Sequence, residues 1–279
     1  MKKFLTRFIP LVYGFYFNSL AIFSSKKAAK KAFMLFCSPR KGKVLPHQKE
    51  YLDQAKHEII STNGVALQTY KWEGKKEIIL LLHGWESNVF RWRNLIDLLV
   101  YKNYTIIAFD APAHGNSTGN ILNVPLYTSC TAHLISKYQP THIIGHSIGG
   151  MTTMYNQYKN PNTYIQKVIS LGAPSDLSLI MEQYEGMLQL NTKVMQALDD
   201  YFMEHFNFNI DEFSIANFVK ATENKGLLVH DELDVIAPVT ASEKIHANWK
   251  NSKLIKTKGF GHSLHQNEVN QHILEFLES

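Results

Sequence analysis

Near-continuous apolar runs, each too short for an ordinary helix, recur along this chain and leave few architectures open. They are "EIILLLHG" (77–84), "YTIIAFDAP" (104–112), "THIIGHS" (141–147), "KVISLGAP" (167–174), "GLLVHDELD" (226–234) and "SKLIKTKGFGH" (252–262). A run such as "EIILLLHG", without in-out alternation, reads as a strand covered on both faces, which is a parallel-sheet signature. Helical stretches fall between the runs: Trp92 to Tyr101, residues 125–138, Ile148 to Tyr158, and a closing "VNQHILEFLE" (269–278). Ahead of them, "HEIIST" and "VALQTYKWEG" form a hairpin around Asn63-Gly64. Strands alternating with helices predict an α/β fold, a mostly parallel central sheet covered by helices.

Two segments break the rhythm. Residues 175–222 carry no strand signal but do carry "LIMEQYEGMLQL" and "MQALDDYFMEHF", and read as a small helical cap inserted between two strands. Its Met181, Met187, Met195 and Met203, among Phe202, Phe206 and Phe208, are expected to be mainly core, with part of the face lining a pocket. Residues 1–50 form a basic helical arm, and 51–279 the α/β domain. Residues 1–49 hold eleven Lys and Arg and no acid, so a net charge of +5 for the chain leaves −6 for the rest. Basicity confined to an arm gives no support for nucleic-acid binding.

Within the arm, "FLTRFIPLVYGFYFNSLAIF" (4–23) is long enough for a bilayer but is interrupted by Arg7, Pro10, Gly14, Asn18 and Ser19. Lys3, Arg7, Gly14 and Asn18 fall on one narrow helical stripe and the remainder is broadly apolar. "SSKKAAKKAFMLF" adds lysines 26, 27, 30 and 31 on one face, and no A-x-A cleavage pattern precedes them. The expectation is therefore a pair of amphipathic helices rather than a signal peptide or a span. They either pack on the body or touch an anionic membrane surface through residues 1–43. Two isolated cysteines, Cys37 and Cys130, suit a reducing, cytoplasmic setting. Thirteen histidines without ligand spacing give no metal site.

The chemical signal begins at Gly145-His146-Ser147-Ile148-Gly149, a G-x-S-x-G between an apolar strand and a helix. Flanking glycines permit a sharp turn that exposes the hydroxyl above the strand end, at a helix N-terminus. A serine needs a base to take its proton, and the base needs an orienting carboxylate. "HDELD" offers Asp231 and Asp234 in the loop after one later strand, and "GFGHSLH" offers His262 and His265 after the last.

The pieces "LLLHGW", "FDAPAHGNS", "GHSIGG", "HDELDVIAP" and "GFGH" together resemble the α/β-hydrolase superfamily over roughly residues 57–279. The resemblance implies Ser147 as nucleophile, Asp234 (four residues before Pro238) as acid, and His262 after Gly261 as base. Asp231, Asp176 and His265 are the rivals. It also implies an oxyanion hole from the Trp85 and Ile148 backbone amides, with His83 fixing that loop and the Trp85 indole lining an acyl pocket or packing. Ala113 stands where the family often has glycine. The activity expected is ester or thioester hydrolysis through an acyl-enzyme, with a hydrophobic acyl group and no cofactor or metal. The same triad also serves amide, peptide or carbon–carbon cleavage and acyl transfer, and a non-catalytic ligand-binding module is the alternative outside enzymes.

Overall fold

In the computed structural model, which describes residues 2–162 and 164–279 and side chains from Phe8 onward, the apolar runs assemble into one sheet. Its strands are β1 (Lys56–Thr62), β2 (Val65–Trp72), β3 (Ile78–Leu82), β4 (Thr105–Phe109), β5 (His142–His146), β6 (Lys167–Leu171), β7 (Lys225–Asp231) and β8 (Ser252–Thr257). The order across the sheet is β1-β2-β4-β3-β5-β6-β7-β8. β1 and β2 are antiparallel, as are β2 and β4, and every other pairing is parallel. Asn63 and Gly64 both take positive φ, 51° and 74°. That is the left-handed pair a tight hairpin turn requires, which is why Asn-Gly sits there.

The helices are α1 (Lys2–Phe23), α2 (Ser25–Cys37), α3 (Pro46–Leu52), α4 (Arg93–Tyr101), α5 (Val124–Tyr138), α6 (Ile148–Lys159), α7 (Leu177–Leu188), α8 (Thr192–Phe206), α9 (Ile215–Phe218), α10 (Thr240–Asn248) and α11 (Asn267–Glu278). Ile79, Leu81, Ile106, Ile144 and Ile169 from the central strands share a buried cluster with Leu95, Ile96 and Leu99 of α4 and Ile273 of α11. Every position of the five-residue strands β4, β5 and β6 is buried, which is why their apolar centres show no in-out alternation.

The chain divides into two compact units: residues 1–38 with 176–214, and residues 39–175 with 215–279. Both boundaries differ from the sequence reading. The arm stops at Ser38, because the next residues are held by loops of the sheet-bearing unit. The Arg40 amide donates to Glu86 Oε1 and the Gly115 amide donates to Gly42 O. The insertion is 176–214 rather than 175–222. Asp176 and Ser214 form an isolated antiparallel bridge, flanked by Ile215 N to Ser175 O and Leu177 N to Phe213 O. Beyond this neck Ile215, Ala216 and Val219 are buried, and α9 packs on α6 and α10.

In the first unit the insertion helices find their core against the N-terminal pair. Phe33 of α2 meets Phe202 edge-on at 5.5 Å between ring centres, and Phe202 in turn stacks on Phe208. Met181 belongs to this buried set, whereas Met187 and Met203 are exposed. The inward face of α1 is the stripe that contains Gly14 and Asn18. A Cβ on Gly14 would lie 1.6 Å from Leu188 O. The Asn18 amide donates to Gln189 O and its oxygen accepts from Asn191 N, each at 2.9 Å. The side chains of Lys3 and Arg7, assigned to the same stripe, lie outside the described residues. Among the described residues no helix is long and apolar enough to cross a membrane.

Candidate active site

β5 ends at His146 and α6 begins at Ile148, which leaves Ser147 alone to make the turn. It does so at φ 54°, ψ −121°, a conformation that costs an L-residue about 1–3 kcal/mol. The glycines around it make room. A Cβ on Gly145 would sit 2.3 Å from Gly149 O, and one on Gly149 would sit 2.5 Å from Leu82 O. Strand and helix therefore approach to a distance that only hydrogen at those positions allows, and Ser147 is pushed out at the helix start.

The loop after β8 carries His262 to this serine. Its Nε2 lies 3.0 Å from Ser147 Oγ and its Nδ1 lies 2.7 Å from Asp234 Oδ2. An ionised carboxylate only accepts, so Nδ1 carries the proton and Nε2 is free to accept from the hydroxyl. Asp234 is buried and further fixed by the Ile236 and Ala237 amides on Oδ1, at 2.8 and 3.1 Å. Of the three candidate acids, Asp234 is the one that meets His262.

Asp231 has a different place. It is fully buried and accepts from the Leu233, Gly259 and Phe260 amides and the Thr257 hydroxyl, which ties the end of β7 to the loop bearing His262. Burial pushes its pKa up, but these donors outweigh it and hold the carboxyl below its ordinary value. A depressed folded pKa means stability that is complete above about pH 4 and lost as pH falls through the lower folded value. Asp231→Asn should therefore lose about 2–3 kcal/mol at pH 7 and unfold with less acid dependence, measured by urea titration from pH 2 to 7. Asp176 lies in the helical unit, at the start of α7. His265 is exposed and near Arg91 and Arg93.

On the other side of Ser147 runs the His83-Gly84-Trp85 loop. His83 is buried; its Nε2 accepts from Ala111 N, so its Nδ1 donates to Gly84 O at 2.8 Å. Burial chiefly, with nearby His114, pushes its pKa down to about 3 and keeps it neutral. In a trans peptide the N–H points opposite to the C=O. Holding the Gly84 carbonyl therefore turns the Trp85 N–H the other way. A Cβ on Gly84 would come within 3.2 Å of Ser147 Cβ, so this peptide lies beside the serine. Ile148 opens α6, whose first amides have no intrahelical acceptor. The Trp85 indole packs edge-on against His114 at 5.6 Å.

The "DAPAHGNS" loop is scaffold. Asp110 is buried and accepts from Val89 N, Asn116 N and Tyr70 OH, and a Cβ on Gly115 would strike its carboxylate. Ala113 takes φ 65°, the left-handed conformation that explains why glycine is frequent there.

Two histidines beside the site escaped the sequence reading. His146 Nε2 donates to the His262 carbonyl at 2.8 Å, which leaves its Nδ1 buried and unpartnered among the described residues. Burial holds its pKa well below the ordinary value. His230 Nδ1 accepts from Ser242 Oγ; its Nε2 donates to Ala237 O at 2.8 Å and lies 3.3 Å from Asp234 Oδ2. The available signal was position: one histidine precedes the serine and the other stands four residues before the acid. Among the described residues no three His, Cys, Asp or Glu side chains are grouped to hold a metal.

Comparison with known proteins agrees with this architecture. A family model described as alpha/beta hydrolase fold matches residues 77–198. The chain is 32% identical over 108 residues to a soluble epoxide hydrolase of Corynebacterium sp., covering 37% of each chain. It is 22% identical over 249 residues to the uncharacterized hydrolase YugF of Bacillus subtilis, covering 73% of this chain and 90% of that one. It spans only 26% and 37% of the length of two of the curated relatives it matches. Among solved structures, Est1E of Butyrivibrio proteoclasticus, with bound ferulic acid, superposes at TM-score 0.62 with 18% identity, over 80% of this chain and all of that one.

Proposed function

Because this chain has the α/β-hydrolase fold, we propose that it is a serine hydrolase that cleaves a carboxylic ester or thioester through an acyl-enzyme on Ser147. The observation that carries the reading is the hydrogen-bonded series Asp234–His262–Ser147, with His262 in the tautomer that accepts the hydroxyl proton. In this mechanism Ser147 Oγ attacks the acyl carbonyl while His262 Nε2 takes its proton, and buried Asp234 stabilises the imidazolium. The Trp85 and Ile148 amides receive the oxyanion. His262 then protonates the leaving group, and water activated by the same nitrogen releases the acid and restores Ser147.

The reading extends to a hydrophobic acyl group on the Met- and Phe-rich composition of residues 176–214 alone. Labelling with a fluorophosphonate, read by mass spectrometry, tests the nucleophile. Wild type should be modified at Ser147 and Ser147→Ala left unmodified. A folded wild type that takes no label, even with lipid present, supports the ligand-binding alternative instead. p-Nitrophenyl esters of increasing chain length then test the acyl preference, and a rise in kcat/KM with length is expected.

His83 acts here as a positioning residue, through the Gly84 carbonyl. His83→Ala frees that peptide to rotate and should lower kcat about 10- to 100-fold with little change in KM. The fluorophosphonate labelling rate should fall in parallel. An unchanged kcat in a folded variant would show that His83 only packs.

A further inference from the structure

α1 is oriented against the usual rule for a surface helix. Gly14, Phe17, Asn18 and Ala21 face inward, while Leu11, Val12, Phe15, Ile22 and Phe23 face out. At 3.6 residues per turn the outward five cover about a third of the circumference, beginning beside the packed stripe at Asn18 and running away from it. Phe15, Ile22 and Phe23 are 76%, 71% and 87% exposed. No charged side chain occurs between Phe8 and Ser25 to make that face comfortable in water. A contiguous apolar face of this kind marks an interaction surface.

The surface beside it is basic. Lys26, Lys27, Lys30 and Lys31 are all exposed on α2, and Lys31 Nζ lies 5.7 Å above the ring of Tyr16, on the flank of the α1 face. Lys26 lies 3.8 Å from Glu204 with both side chains well exposed, a contact that neutralises little. Apolar and cationic surfaces thus adjoin within one helical unit. A second copy of the chain is a poor occupant, because a two-fold contact through α1 would bring two acid-free basic arms together. The described helices include none fit to span a bilayer.

We propose that α1 and α2 form a membrane-docking surface for anionic lipid, with α1 lying in the plane of the interface. The outward residues of α1 enter the acyl boundary, and the four α2 lysines sit on anionic headgroups. Aromatic Tyr13 and Tyr16, both exposed, lie at the headgroup level that amphipathic rings prefer. The proposal stands on this surface alone and does not depend on the hydrolase reading.

Flotation of the full-length protein tests it. The vesicles are phosphatidylcholine alone and equal parts phosphatidylcholine and phosphatidylglycerol. Wild type should float with the anionic vesicles, bind neutral ones at least about tenfold more weakly, and release as salt rises. Replacing the four lysines by glutamate should reduce anionic-vesicle binding at least about tenfold. Phe15→Asp with Ile22→Asp should abolish flotation on both vesicles. These positions are exposed, so circular dichroism and turnover of a short water-soluble ester should match wild type, which keeps docking and catalysis separately readable. Wild type that stays at the bottom with both vesicles overturns the proposal. So does flotation unchanged in both variants, or a lipid-free dimer that Phe15→Asp dissolves without any flotation.

Discussion

Ser147→Ala is expected to reduce kcat by about ten-thousand-fold or more, the loss seen when a serine nucleophile that acts as one unit with its base is removed. The same variant should unfold within about 1 kcal/mol of wild type, because it forfeits one hydroxyl hydrogen bond and keeps the backbone as it is. Alanine retains the Cβ, so the φ of 54° at this turn stays strained. Glycine does not, and Ser147→Gly should be equally inactive but more stable than Ser147→Ala by about 1 kcal/mol. Urea denaturation of the two variants, with turnover of a p-nitrophenyl ester, separates the roles of side chain and backbone. A Ser147→Ala enzyme with ordinary turnover would falsify the acyl-enzyme mechanism outright.

Asp234→Asn is expected to lower kcat by about ten-thousand-fold with KM little changed. The carboxylate accepts on both oxygens: two backbone amides on Oδ1, and His262 Nδ1 on Oδ2, with His230 Nε2 at 3.3 Å. An asparagine that keeps its carbonyl on the backbone amides presents an NH2 to His262. The ring must then hold its proton on Nε2, where it faces Ser147 as a donor and cannot serve as base. An asparagine flipped the other way sets its NH2 against two backbone donors. Either arrangement leaves buried donors unpaired, and stability should fall by about 1–3 kcal/mol as well. Asp231→Asn is the control: it should lose stability while retaining the His262 tautomer. If Asp234→Asn kept activity within tenfold of wild type and Asp176→Asn did not, the acid would have to be reassigned.

The sheet was legible because buried parallel strands leave a direct trace: β3 is wholly apolar, and β4 to β6 keep apolar centres with polar residues only at or next to their ends. Ser147, Asp234 and His262 were legible for a related reason, since each stands just past the end of a strand, where loops are free to carry chemistry. His146 and His230 were not, because a lone histidine in a buried strand carries no spacing that distinguishes a positioning group from a core one. The orientation of α1 was hidden by hydropathy itself. Gly14 and Asn18 read as the polar side, but glycine there serves close approach to Leu188 and the asparagine joins the Gln189–Asn191 turn. The neck at Asp176 and Ser214 was invisible for want of a motif, as a single bridge leaves no period in the sequence.

The split make-up of the helical unit also governs when it can form. Its two halves, residues 1–38 and 176–214, are separated by most of the sheet-bearing chain. During synthesis α1 and α2 emerge before α7 and α8 and must wait for them, a delay of about 10–35 s at ordinary elongation rates. Throughout that interval the Phe33 side of α2 and the Phe17–Ala21 side of α1 lack cover, in addition to the outward face of α1 that stays open after folding, so the nascent chain is at its most aggregation-prone before α7 and α8 exist. Closing so long a loop late also makes this unit a slow step in folding. A chain shortened at its N-terminus would be born without that hazard, but would leave Phe202 and its neighbours in the insertion without Phe33 to pack on.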